Sequence, residues 1–189
     1  WIYGDLGTDT VNAGDGDNTV MTFAGNDEIR SGSGNDYIDA GAGDDVITVT
    51  GGNNTIYGRE GSETVSTGAG NDWIDLRSAA AEPSSTHTVT SAGGDNVIHT
   101  DDGDDAVDTG AGNDTIHAGH GVHTIHSGAG DDTITAGDGE HRIYASAPGA
   151  VDADRVTLGD GPAVIDTGAG NDTILAGDGD KTITAGAGD

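Results

Sequence analysis

Isoleucine or valine recurs at every ninth position along this chain. Ile2, Val11, Val20, Ile29, Ile38, Ile47, Ile56, Val65 and Ile74 form one series. Val89, Ile98, Val107, Ile116, Ile125, Ile134 and Ile143 form a second, and Val156, Ile165, Ile174 and Ile183 a third. An amphipathic helix needs apolar residues every three or four positions, so this spacing excludes one. A fixed period marks a solenoid or array, in which each repeat buries its apolar face against its neighbours. Glycine-rich turns precede the anchors. The fullest are Gly32-Ser33-Gly34-Asn35-Asp36, Gly68-Ala69-Gly70-Asn71-Asp72, Gly110-Ala111-Gly112-Asn113-Asp114 and Gly168-Ala169-Gly170-Asn171-Asp172. Glycine supplies the left-handed positions of tight turns, and Asn and Asp tolerate them. Each nonad therefore reads as a turn followed by a strand of about three residues, centred on a β-branched anchor.

Composition alone points elsewhere. The 189 residues carry 34 acidic and 6 basic side chains, a net charge of -28, with few aromatics. Such a chain would ordinarily be disordered; the periodic order overrides that reading. The absence of cysteine excludes disulfide-stapled folds and thiolate zinc sites. The negative field excludes a nucleic-acid partner. No apolar run approaches the ~20 residues of a membrane span, so membrane insertion is not expected.

The turns and anchors together resemble the glycine- and aspartate-rich nonapeptide repeats of RTX proteins, G-G-x-G-x-D-x-U-x. The resemblance covers nearly the whole chain. It implies an all-β fold: a right-handed parallel β-roll with two nonapeptides per coil, about ten coils in all, and calcium bound in the turns. The first glycine of the motif is usually replaced here, as at Ser31, Thr67, Thr109, Ser127 and Thr167. At ~4.8 Å per coil the rod is roughly 50 Å long. The apolar core is one file of Ile and Val on each side, thin for so acidic a chain. Calcium, a hard cation taking 6–8 oxygens, would neutralise carboxylates and pin the turns, so that metal binding becomes folding energy.

The carboxylate ligand implied by the resemblance lies two residues before each anchor. Alternate turns fall on opposite edges of the roll. One edge, here the first, carries Asn18, Asp36, Asn54, Asp72, Asn96, Asp114, Asp132, Asp154 and Asp172. The second carries Asp9, Asp27, Asp45, Glu63, His87, Asp105, His123, His141, Ala163 and Lys181. Calcium is expected along the whole first edge, and on the second mainly in its N-terminal half, for roughly ten ions. The turn glycines expected beside them are Gly32, Gly34, Gly41, Gly43, Gly68, Gly70, Gly110, Gly112, Gly128, Gly130, Gly168 and Gly170. Lys181 supplies a fixed cation where a metal is missing.

Two insertions interrupt the period, near 76–86 and 145–151, within a single domain spanning 1–189. They read as surface loops, with partner docking as the alternative. His117, His120, His123, His126 and His141 suggest either a transition-metal or pH-sensing cluster, or drift at turns that no longer bind calcium. Tyr3, Met21, Tyr37, Tyr57 and Trp73 share one outer face. Tyr37, Tyr57 and Trp73 are candidates for a carbohydrate or protein contact, against the plainer reading of a cross-strand packing ladder. Neither end carries a polar cap, so flanking domains of a longer chain or neighbouring subunits are the expected partners.

The resemblance implies a calcium-binding structural module of a bacterial adhesin, surface layer or exoprotein, exported by type I secretion and folding outside the cell. A self-assembling extracellular fibre or lattice subunit is the alternative. An ice-binding roll is disfavoured because Glu28, Arg142, Arg155 and Val164 interrupt the outward threonines. No nucleophile–base spacing or H-E-x-x-H motif supports an enzyme.

Overall fold

In a computed structural model, which describes residues 1–78 and 85–188, each anchor sits in the middle of a short strand. Twenty strands are present among these residues, from β1 (Ile2–Tyr3) to β20 (Lys181–Ala185), with no helix. The odd-numbered strands form one ten-stranded sheet and the even-numbered strands another. Every pairing is parallel. The registers match anchor to anchor, as in Val20↔Ile38↔Ile56 in one sheet and Val11↔Ile29↔Ile47 in the other. Successive strands thus alternate between sheets, two per coil, and about ten coils make a parallel β-solenoid.

The anchors face inward from both sheets. Ile29, Ile38, Ile47, Ile56, Ile98, Ile116, Ile125, Ile134 and Ile143 have no exposed surface. The position two after the anchor also turns inward in most coils. Ala40 and Ala136 are buried, with Leu76 and Leu158 filling the same place elsewhere, whereas Ala185 at the last coil is exposed. The hydroxyl residues that replace the motif's first glycine are buried here as well, and Thr109 Oγ1 donates to the Ser127 carbonyl at 3.0 Å. Ile116→Ala in this file should cost about 2–5 kcal/mol. Leu175→Ala, at 61% exposure on an outer face, should stay within about 0.5 kcal/mol. Thermal unfolding of both variants at saturating calcium checks the contrast.

Glycine is required where coils touch. Gly128 has φ 91°, and a Cβ there would collide with the Gly110 carbonyl oxygen of the coil beneath. The same collision recurs at Gly34, Gly43, Gly70, Gly112 and Gly130, each seated on a carbonyl of the preceding coil. Residues 79–84 of the first insertion lie outside the described residues. In the second insertion, the Ala150 N–H donates to the Ala147 carbonyl at 3.0 Å, closing a turn.

Candidate metal centre

The carboxylates of the first edge form a continuous ladder. Each backbone N–H of the column donates to the side-chain Oδ1 of the next coil: Asn18 to Asp36, Asp36 to Asn54, Asn54 to Asp72, Asp72 to Asn96, Asn96 to Asp114, Asp114 to Asp132, Asp132 to Asp154 and Asp154 to Asp172. These bonds run from 2.8 to 3.1 Å. One oxygen of each carboxylate is thereby used. The other, Oδ2, is buried without a hydrogen-bond donor at Asp36, Asp72, Asp114, Asp132 and Asp154.

A buried carboxylate oxygen with no partner is costly unless a cation or proton meets it. Burial pushes Asp132 and Asp154 up to about 7, and raises Asp72 and Asp114 as well. The second edge begins in the same way. Asp9 N–H donates to Asp27 and Asp27 N–H to Asp45, leaving Oδ2 of Asp27 and Asp45 orphaned. Burial pushes Asp45 up to about 7. Asp9 and Asp172, at the ends of their columns, are only half-buried.

At Asn18, Asn54 and Asn96 the side chain itself supplies the missing donor. Asn54 Nδ2 donates to the Gly52 carbonyl at 2.9 Å and to Asp72 Oδ1 at 2.8 Å. Asn96 Nδ2 does the same to Gly94 and Asp114, and Asn18 Nδ2 reaches Gly14 and Gly16. An amide thus occupies turn carbonyls at three coils of an edge expected to bind calcium throughout. In the later second edge, imidazoles and an amine take this part. His123 Nε2 donates to Gly119 O at 3.0 Å and His141 Nε2 to Gly137 O at 2.9 Å. Lys181 Nζ donates to Gly161 O and to Asp178 O.

Between these regimes lies a buried acid–base chain. His87 Nδ1 meets Glu63 Oε2 at 2.7 Å, with both side chains fully buried, and its Nε2 meets Asp101 Oδ1 at 3.1 Å. Burial alone would lower His87, but Glu63, Asp105 and Asp101 outweigh it and raise its pKa. Burial raises Glu63 even beside His87. His123 Nδ1 lies 3.3 Å from Asp105 Oδ2. Burial would raise Asp105, but His123, the His87 N–H and Thr100 hold it below the usual carboxylate range.

The other histidines disperse. His117 stacks on His99 at 4.9 Å on an outer face, and His126 lies 4.6 Å from Tyr144 on the other sheet. His120 Nδ1 accepts the Asp138 N–H. His123 and His141 stack at 5.1 Å within the edge. Among the described residues no group of three or more His, Asp or Glu converges on a metal point. The transition-metal reading of the histidines is therefore not assembled. Calcium makes no such demand, since backbone carbonyls supply much of its shell.

A second ladder was not foreseen. On the outer rim of the first edge, side chains accept from the following coil, so the bonds run in the opposite sense: Asn35 N–H to Asp17, Asn53 to Asn35, Asn71 to Asn53, Asp95 to Asn71, Asn113 to Asp95 and Asp131 to Asn113. Asp152, which lay outside the nine-residue count, accepts from Gly130 N–H and has an orphaned Oδ1. Asp101 joins His87 to Ser85 Oγ. The recurrent Asx before the column residues of this edge, broken only by Ala153 before Asp154, could have signalled the rim ladder; nothing in the period marks Asp101 or Asp152.

The sequence model of the RTX calcium-binding nonapeptide repeat matches residues 3–38, 21–56, 39–74, 88–121, 124–147 and 157–189. The chain belongs to the RTX calcium-binding repeat family. No curated protein and no solved structure matches it. Within this RTX roll, the orphaned oxygens of the aspartate columns suit calcium, and Asp27, Asp36, Asp45, Asp72, Asp114, Asp132 and Asp154 would hold it together with turn carbonyls. Bound there, calcium would supply the positive charge that these side chains lack.

Proposed function

We propose that this RTX roll is a structural module of a protein that works outside the cell, as part of an adhesin, surface layer or exoprotein, and that it folds when it meets extracellular calcium. Supporting it are the two aspartate columns, in which Asp27, Asp36, Asp45, Asp72, Asp114, Asp132 and Asp154 each bury one oxygen that makes no hydrogen bond among the described residues. RTX repeat proteins are typically extracellular, and the repeat family is structural rather than enzymatic. Calcium loading in this reading is uneven. It is densest along Asp114, Asp132, Asp154 and Asp172 and in the Asp27–Asp45 segment, thinned where Asn amides intervene, and replaced by protein donors at His123, His141 and Lys181.

Equilibrium dialysis tests both parts. Extracellular modules bind calcium at about 10⁻⁴–10⁻³ M. A midpoint in that range, with fewer than ten ions per chain, is the expected result. A midpoint below about 10⁻⁷ M would leave the chain loaded inside cells and end the export-coupled reading. His123→Asp together with His141→Asp should add bound calcium; an unchanged ion count would refute the donor-replacement part.

A further inference from the structure

Among the described residues, left-handed backbone belongs to glycine, with two exceptions: Phe23 at φ 71° and Arg59 at φ 88°. Side-chain-bearing residues are disfavoured there, and such outliers gather at sites of function. Both exceptions fall in one column, two coils apart, with Gly41 between them. Asp5, Arg77 and Asp101 also occupy this column, and glycine fills its last four coils at Gly119, Gly137, Gly159 and Gly177, but of its glycines only Gly41 is left-handed, at φ 100°. At Gly41 a Cβ would collide with the Phe23 carbonyl oxygen, so the coil between the two large side chains stays bare. The result is a notch with Gly41 as its floor, walled by Phe23 and Arg59 and completed by Met21 and Asp39. Phe23 is 51% exposed there.

The surroundings define what the notch would accept. Arg59 forks onto Asp39, Nε to Oδ1 at 3.0 Å and Nη2 to Oδ2 at 2.6 Å. Its guanidinium lies 4.8 Å from the Tyr57 ring centroid, and Tyr57 lies 5.8 Å from Tyr37. Arg77 repeats the fork on Asp75 at 2.8 and 2.7 Å, next to Trp73, which is 40% exposed and 5.2 Å from His99. Two of the chain's six basic residues are thus spent neutralising two carboxylates on one aromatic stripe. Elsewhere a net charge of -28 repels anions and draws cations. Here the face is locally neutral, with flat rings beside fixed donors and acceptors. A polyhydroxylated, uncharged chain matches both features: its C–H faces meet rings, and its hydroxyls meet the forks.

We propose that the Phe23–Gly41–Arg59 notch and the aromatic stripe from Met21 to Trp73 bind a neutral polysaccharide. The test uses the full chain in saturating calcium, with circular dichroism confirming that each sample is folded. A loss of fold is thereby told apart from a loss of binding. Native gels containing dextran, laminarin or hydroxyethyl cellulose, with alginate as the anionic control, measure retardation. Trp73 fluorescence in a Trp1→Phe background measures affinity.

Retardation by at least one neutral glycan is expected, with saturable fluorescence change. Phe23→Gly and Arg59→Gly, which install the residue that Gly41 provides between them, should each weaken binding at least tenfold while leaving the melting temperature unchanged or raised. Failure of all three neutral glycans to retard the chain overturns the proposal. So does retardation by alginate alone, or full affinity in both variants. A lowered melting temperature in both variants would show that the two side chains serve packing, and would also overturn it.

Discussion

Stripped of calcium by EDTA at pH 7.5, the chain is expected to lose its strands in one cooperative transition. The reason lies in the columns. Asp27, Asp36, Asp45, Asp72, Asp114, Asp132 and Asp154 each keep a buried oxygen that makes no hydrogen bond among the described residues. An unpaired buried charge is among the most destabilising features a fold can hold. The repulsion of a net -28 adds to it. In a solenoid each coil is stabilised only by its neighbours, so failure at several coils is not rescued by distant ones. Far-UV circular dichroism should show loss of β-signal. The radius of gyration should rise toward about 46 Å, the value for an unfolded chain of this length. Calcium should reverse both; magnesium, which holds its waters and prefers rigid octahedral geometry, should not. A chain that stays β-rich in EDTA would show that the Ile and Val files suffice without metal.

The second large effect is a reversal of pH dependence. Burial pushes Asp45, Asp132 and Asp154 up to about 7 in the folded chain, against ~3.9 when unfolded. The folded state therefore binds more protons than the unfolded state between those values. Metal-free stability is greatest below about pH 4 and is lost as pH rises toward 7. His87, also raised, acts in the same direction. With calcium the sign inverts, because the metal needs ionised carboxylates and protons compete with it. In EDTA, acidification from pH 7.5 to 4.5 should restore β-signal; in calcium, the same step should lower the melting temperature. The triple variant Asp45→Asn, Asp132→Asn, Asp154→Asn should flatten the metal-free dependence. If it keeps the full acid response, relief of overall charge repulsion explains the gain instead.

Much of this architecture was legible because a solenoid is nearly one-dimensional. A nine-residue period places every anchor, and two nonads per coil place 18-residue neighbours in register, as Ile98↔Ile116 shows. Column membership follows from counting alone. Hydrogen-bond direction does not, since it depends on how the turn backbone aims each N–H. For that reason the inner ladder, in which Asp114 accepts from Asn96, and the rim ladder, in which Asn113 accepts from Asp131, run in opposite senses that no residue count distinguishes. Asn54 and Asp72 looked interchangeable as oxygen bearers, yet the amide of Asn54 brings its own donor and closes the turn. Phe23 and Arg59 stood out only once their backbone was seen, because a column that also holds Asp5, Arg77 and Asp101 beside its glycines reads as ordinary drift.

The ladders also cross the insertions. Asp72 reaches Asn96 over 24 residues and Asp132 reaches Asp154 over 22, with the same atoms bonded as at the usual 18. The next coil resumes in register after each insertion. Such a rod measures distance by counting. Adding or deleting a pair of nonads changes its reach by one strand spacing, ~4.8 Å, and leaves every remaining joint chemically the same. Selection can then adjust how far the protein extends, step by step, without redesigning what holds it together.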